Sequence, residues 1–127
     1  MSKEEKNTYT IKGNTQVGEV KIADEVVAVI AGLATLEVEG VASMAGNATT
    51  ELISKLGKKA VSKGVKIDVL DGIVTVSLAL NISYGYNIKD VTLKVQEKVK
   101  SAIETMTALE VADVNIRVAG VAVSEEA

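Results

Sequence analysis

Cysteine and histidine are both missing from this chain of 127 residues. Their absence removes thiolate nucleophiles, disulfides, imidazole acid–base catalysis, Ser-His-Asp triads and nearly every transition-metal site. Most enzyme classes go with them, and no cofactor site is expected. Phenylalanine and tryptophan are missing as well, and aromatic residues make up 2% of the sequence, so valine, isoleucine, leucine and alanine must fill the core. The opening MSKEEKNTYTIKGN is polar, with no apolar segment for a secretory signal, and no later run approaches the ~18 apolar residues of a membrane span. The chain is expected in the cytoplasm, where the sequons at Asn47 and Asn81 carry no function.

What is present indicates one folded unit. Hydrophobic residues account for 47% and charged residues for 24%, which is not the composition of a disordered chain, and the length suits a single core. Residues 1–16 are expected to be a polar tail, 17–122 a single domain and 123–127 a second tail. A short strand runs through Val20 and Ile22. A helix follows, with Asp24 as its N-cap and Val26, Val27, Val29, Ile30 and Leu33 spread over most of its sides, ending near Leu36. The sequence GVASMAG then suggests another short strand.

The middle of the chain is more explicit. Val65, Ile67 and Val69 alternate with polar residues, Asp71-Gly72 is a favoured pair for a two-residue type I′ turn, and a return strand follows at once. On that return strand Val74, Val76, Leu78, Leu80, Ile82 and Tyr84 fall on one face, toward the core. The other face carries Thr75, Ser77, Ala79, Asn81 and Ser83, polar but uncharged. From Asn87 the period becomes helical, with Val91, Val95, Val99, Ala102, Ile103, Met106 and Leu109 in one stripe over about twenty residues. A last strand alternates Val114, Ile116 and Val118 with Asn115, Arg117 and Ala119.

The two helix exits match each other. IAGLATLEVEGV (30–41) and IETMTALEVADV (103–114) superpose at constant offset, with Asp113 standing where the first copy has Gly40. The match implies one helix-to-strand joint used twice, in which Gly40→Asp is tolerated. The expected fold is α+β: a two-layer domain with a mostly antiparallel sheet and two main helices on one face, a split-βαβ-like variant with an inserted helical segment at 47–63.

Several words of the sequence, in this order and spacing, resemble the alkaline shock protein family of Gram-positive bacteria. They are GEVKIADEVVAVIAGLATLEVEGVASM near the start, then YGYNI, VQEKV, IETMTALEV and VNIRVAGV. Ala108 departs from the MTGL form of the motif, and alanine there suits a continuing helix. The resemblance implies a non-enzymatic cytoplasmic protein of cell-envelope stress homeostasis. It implies a place at the inner face of the membrane through a small membrane-anchored protein partner, and no catalytic residues.

Two candidate surfaces remain. Lys55, Lys58, Lys59, Lys63 and Lys66 occur with no acidic residue between Glu51 and Asp68, a basic patch in a chain of net charge −3. Such a patch attracts an anionic surface or an acidic partner. An RNA- or DNA-associated regulator using the same lysines is the alternative, weakened by the negative overall charge and the scarcity of stacking aromatics. The second candidate is the uncharged sheet face, Thr75, Ser77, Asn81, Ser83, Asn115 and Arg117 with Tyr86 at its end. Small polar residues allow close approach, so self-association into a homo-oligomer, or docking of a partner helix, is expected there. Glu37, Glu39 and Asp113 are the remaining carboxylates for a remote enzymatic reading.

Overall fold

A computed structural model describes residues 8–11, 20–45 and 64–123. Among them the chain runs β1 (Thr8–Ile11), β2 (Val20–Ala23), α1 (Asp24–Leu36), β3 (Val41–Met44), β4 (Val65–Leu70), β5 (Ile73–Ser83), α2 (Ile88–Thr107) and β6 (Glu110–Ala122). The α+β class and both main helices are as the sequence predicts. The inserted segment 47–63 lies outside the described residues. Thr8–Ile11, inside the stretch expected to be a polar tail, forms a strand paired antiparallel with β2.

β5 is the axis of the main sheet. Asp71 and Gly72 both take positive φ, 53° and 78°, as a type I′ turn requires, and this brings β4 back antiparallel along the first half of β5. β3 pairs antiparallel with the second half of the same edge, so β3 and β4 lie end to end. They meet at Ala79, whose carbonyl accepts from Ala45 N–H at 2.9 Å and whose N–H donates to the Gly64 carbonyl at 3.0 Å. β6 runs parallel to β5 along its other edge over its whole length. Residues 73–122 thus form a βαβ unit with its parallel strands adjacent.

Both helices cover one face of this sheet. Val76, Leu80 and Ile82 of β5, Val95 and Ile103 of α2, and Val27 and Ala31 of α1 join one buried aliphatic cluster. Met44 fills space beside them and is fully buried. Where the sequence reading departs from the structure, local geometry gives the reason. The N-cap of α1 is Ala23 rather than Asp24, which sits in the first turn and complements the helix dipole. Met106 is 68% exposed because the buried line of α2 steps by four through Val91, Val95, Val99, Ile103 and Thr107, so Thr107 takes the inward place and Met106 falls beside it at the groove. Tyr84 is 74% exposed, since β5 ends at Ser83 and the chain turns before alternation carries the ring into the core.

The two helix exits are not equivalent. After α1, residues Glu37–Gly40 form a turn in which Gly40 takes φ 101° and the strand starts at Val41. After α2, Ala108 takes φ 65° and its N–H donates to the Glu104 carbonyl, so the helix stops there and β6 starts at Glu110. Asp113 is therefore a mid-strand residue paired with Thr75, not a counterpart of Gly40. The expected tolerance of Gly40→Asp fails on the same ground, and so does the continuing helix read from Ala108.

Candidate functional site

The hairpin register builds the polar face of the sheet in cross-strand rows. Lys66 pairs with Ser77 and Asp68 with Thr75 on one side of β5. On the other side Ser77 pairs with Asn115, Thr75 with Asp113 and Ala79 with Arg117. The face is thus uncharged only along β5, with Lys66 and Asp68 flanking it on β4 and Asp113 and Arg117 on β6. Ser77, Asn115 and Arg117 are exposed, while Thr75, Asn81 and Ser83 are half-buried. Asn81 is already engaged: its Nδ2 donates to Ser43 Oγ at 2.9 Å, and its Oδ1 lies 3.1 Å from where a Cβ on residue 120 would stand, a position held by glycine. Both helices lie on the opposite side of the sheet.

Tyr86 sits apart from that face. Its hydroxyl donates to Glu39 Oε2 at 3.1 Å, and its ring packs over Gly40. The hydrogen bond to Glu39, reinforced by the carboxylate's charge, raises the Tyr86 pKa above the ordinary phenol value. The ring therefore clamps the turn before β3 to the turn before α2. Of the lysine patch only Lys66 is described; Lys55, Lys58, Lys59 and Lys63 lie outside the described residues.

The carboxylates do not converge. Glu37 pairs with Lys98 Nζ at 3.2 Å, Glu39 takes the Tyr86 hydroxyl, and Asp113 lies on β6. Among the described residues no three acidic side chains are grouped to hold a metal ion, and no helix is long and apolar enough to cross a membrane. A groove of about 430 Å³ runs between α1 and α2, lined by Ile30, Leu33, Ala102 and Met106 with the Glu37–Lys98 pair at its rim. The flanking charges Asp68 and Asp113 were missed by the sequence reading. Asp68 was derivable, because a two-residue turn at 71–72 dictates that residue 68 faces residue 75.

Comparison with known proteins gives a consistent result. Residues 12–123 match the alkaline shock protein 23 family, described as having a cell envelope-related function. The chain is 39% identical over 108 residues to the uncharacterized protein YqhY of Bacillus subtilis, covering 85% of this chain and 80% of that one. It is 34% identical to the uncharacterized protein Spy1535 of Streptococcus pyogenes, covering 83% and 80%. The uncharacterized protein YloU of Bacillus subtilis is 32% identical, covering 91% and 98%. No solved structure matches the chain.

Proposed function

The chain belongs to the alkaline shock protein 23 family, whose function is cell envelope-related, and on that premise we propose that it is a non-enzymatic scaffold of envelope stress homeostasis. It works from the cytoplasmic side of the membrane, where self-association and a small membrane-anchored protein partner hold it. The observation that carries this reading is the polar face of the sheet. Along β5 it offers Thr75, Ser77, Ala79, Asn81 and Ser83, and both helices lie on the other side. A face left to solvent alone is better protected by lysine and glutamate along its central strand, which discourage association. Small side chains instead let another surface come close, and Lys66, Asp68, Asp113 and Arg117 supply charges of both signs at its margins.

Assembly then multiplies a weak contact. A scaffold that presents several copies of one surface to a partner confined to a membrane gains avidity from effective concentration without needing a deep pocket. Sedimentation velocity of a Thr75→Lys, Ser77→Glu variant tests the face directly. The variant is expected to show a smaller assembly than the wild type at equal concentration, with circular dichroism confirming that it is folded, since Ser77 is exposed and Thr75 half-buried. An unchanged assembly size excludes the face as a site of association.

A further inference from the structure

Among the described residues, no strand pairs with the outer edge of β6. Backbone groups of a strand point alternately to its two sides. Ala79 directs its N–H and C=O to Gly64 and Ala45, away from β6, so the even-numbered residues around it on β5 serve β6. By the ladder register, Asp113, Asn115 and Arg117 then turn their backbone groups toward β5, and Val114, Ile116 and Val118 turn theirs outward. Side chains from α2 agree with this: Gln96 Nε2 donates to the Val114 carbonyl at 3.0 Å, and Glu104 accepts from the Val111 N–H at 3.0 Å. Those contacts cover the first part of the edge. Among the described residues nothing meets the outward groups of Ile116 and Val118.

We infer that this edge pairs with β6 of a second copy, antiparallel, about a two-fold axis through Asn115. The inference deepens the self-association reading and rests on it. Register shifts after Val111 and after Val118 leave Asp113–Val118 as the regular run of the strand. Pairing Asn115 with its own copy keeps the contact inside that run. Asp113 then faces Arg117 twice, on the polar face, and Val114 faces Ile116 on the core face, so charge and apolar character both match. A register with Arg117 opposite Arg117 sets like charges together and is disfavoured. The Val114 carbonyl keeps a second lone pair for the incoming Ile116 N–H beside its bond to Gln96. Leu93, half exposed, stands one turn before Gln96 on the same side of α2. From Val114 to Ala122 there is no lysine or proline, the residues that commonly guard an edge.

The absence of native cysteine makes the test direct. In this pairing the two Asn115 Cα atoms form a non-hydrogen-bonded antiparallel pair about 4.5 Å apart, within disulfide reach. Asn115→Cys is expected to give a disulfide-linked dimer under mild oxidation, whereas Ser77→Cys is not. In sedimentation equilibrium, Arg117→Asp and Asp113→Arg are each expected to weaken the dimer at least about tenfold, and the two together to restore it. All three variants change exposed side chains, and circular dichroism confirms that each is folded. The Thr75→Lys, Ser77→Glu chain is expected to remain dimeric through the edge. Dimers indifferent to both single reversals, or linking through Ser77→Cys but not Asn115→Cys, overturn the edge pairing and leave the scaffold reading standing. A wild-type chain that stays monomeric at every concentration overturns both.

Discussion

Gly40 shows at the scale of one residue why a repeated sequence need not mean a repeated structure. Its φ of 101° is one that side-chain-bearing residues rarely adopt, and a Cβ there would stand 2.7 Å from Val91 Cγ2 and 2.9 Å from the Tyr86 ring. Gly40→Asp is therefore expected to cost about 2–4 kcal/mol in urea unfolding, from backbone strain and overpacking together. Ala108 is the converse: an alanine in the left-handed region at φ 65°. Ala108→Gly is expected to stabilise the protein by about 1 kcal/mol, since the left-handed cost for an L-residue disappears. Nothing in the spacing of LEVEGV and LEVADV distinguishes these two ends. Position 40 is decided by Tyr86 and Val91, which are remote in sequence, and position 108 by where the helix must stop for β6 to reach β5. Tyr86 adds a pH dependence. A phenol whose pKa is raised on folding contributes stability that is fully present below its ordinary pKa and lost as pH rises through the raised value. In a phenolate absorbance titration, Tyr86→Phe is expected to remove a group that ionises above the ordinary range and to flatten the fall in melting temperature there.

At the scale of elements, local signals were legible wherever a short-range rule decides the outcome. The Asp71-Gly72 turn, the alternating β5 strand and the twenty-residue α2 all follow from such rules. The start of α2 is one of them: Asn87 Oδ1 accepts from the Asp90 N–H at 3.0 Å, and Asn87→Ala is expected to cost about 1 kcal/mol in thermal or urea unfolding. What stayed illegible was pairing between distant segments. Alternation in β6 shows which side chains share a face but not that the strand lies parallel to β5, nor that β3 and β4 share one edge of it. The bond from the Val111 N–H to Glu104, on the side of β6 away from β5, is likewise a contact no periodicity carries. The polar face was legible along β5 by alternation alone. Its charged margins depend on register, readable for β4 through the hairpin and hidden for β6.

At the scale of the whole molecule, the described residues form an aliphatic two-layer arrangement with both described helices on one face of the sheet and, on the other, small polar side chains along β5 flanked by charges. Glu37 is held by Lys98 and Glu39 by Tyr86, and among the described residues no carboxylates are grouped to hold a metal ion. Family membership sets the polar face in an envelope-related context. Recruitment through a membrane-anchored protein, rather than through lipid or nucleic acid, is the central claim. Its most direct test is co-sedimentation of the purified chain with membrane vesicles from a Gram-positive host, before and after protease treatment of the vesicles, beside protein-free anionic liposomes. The expected result is binding to untreated vesicles that is lost after protease and absent from liposomes. Equal binding to treated vesicles or to bare liposomes contradicts the claim.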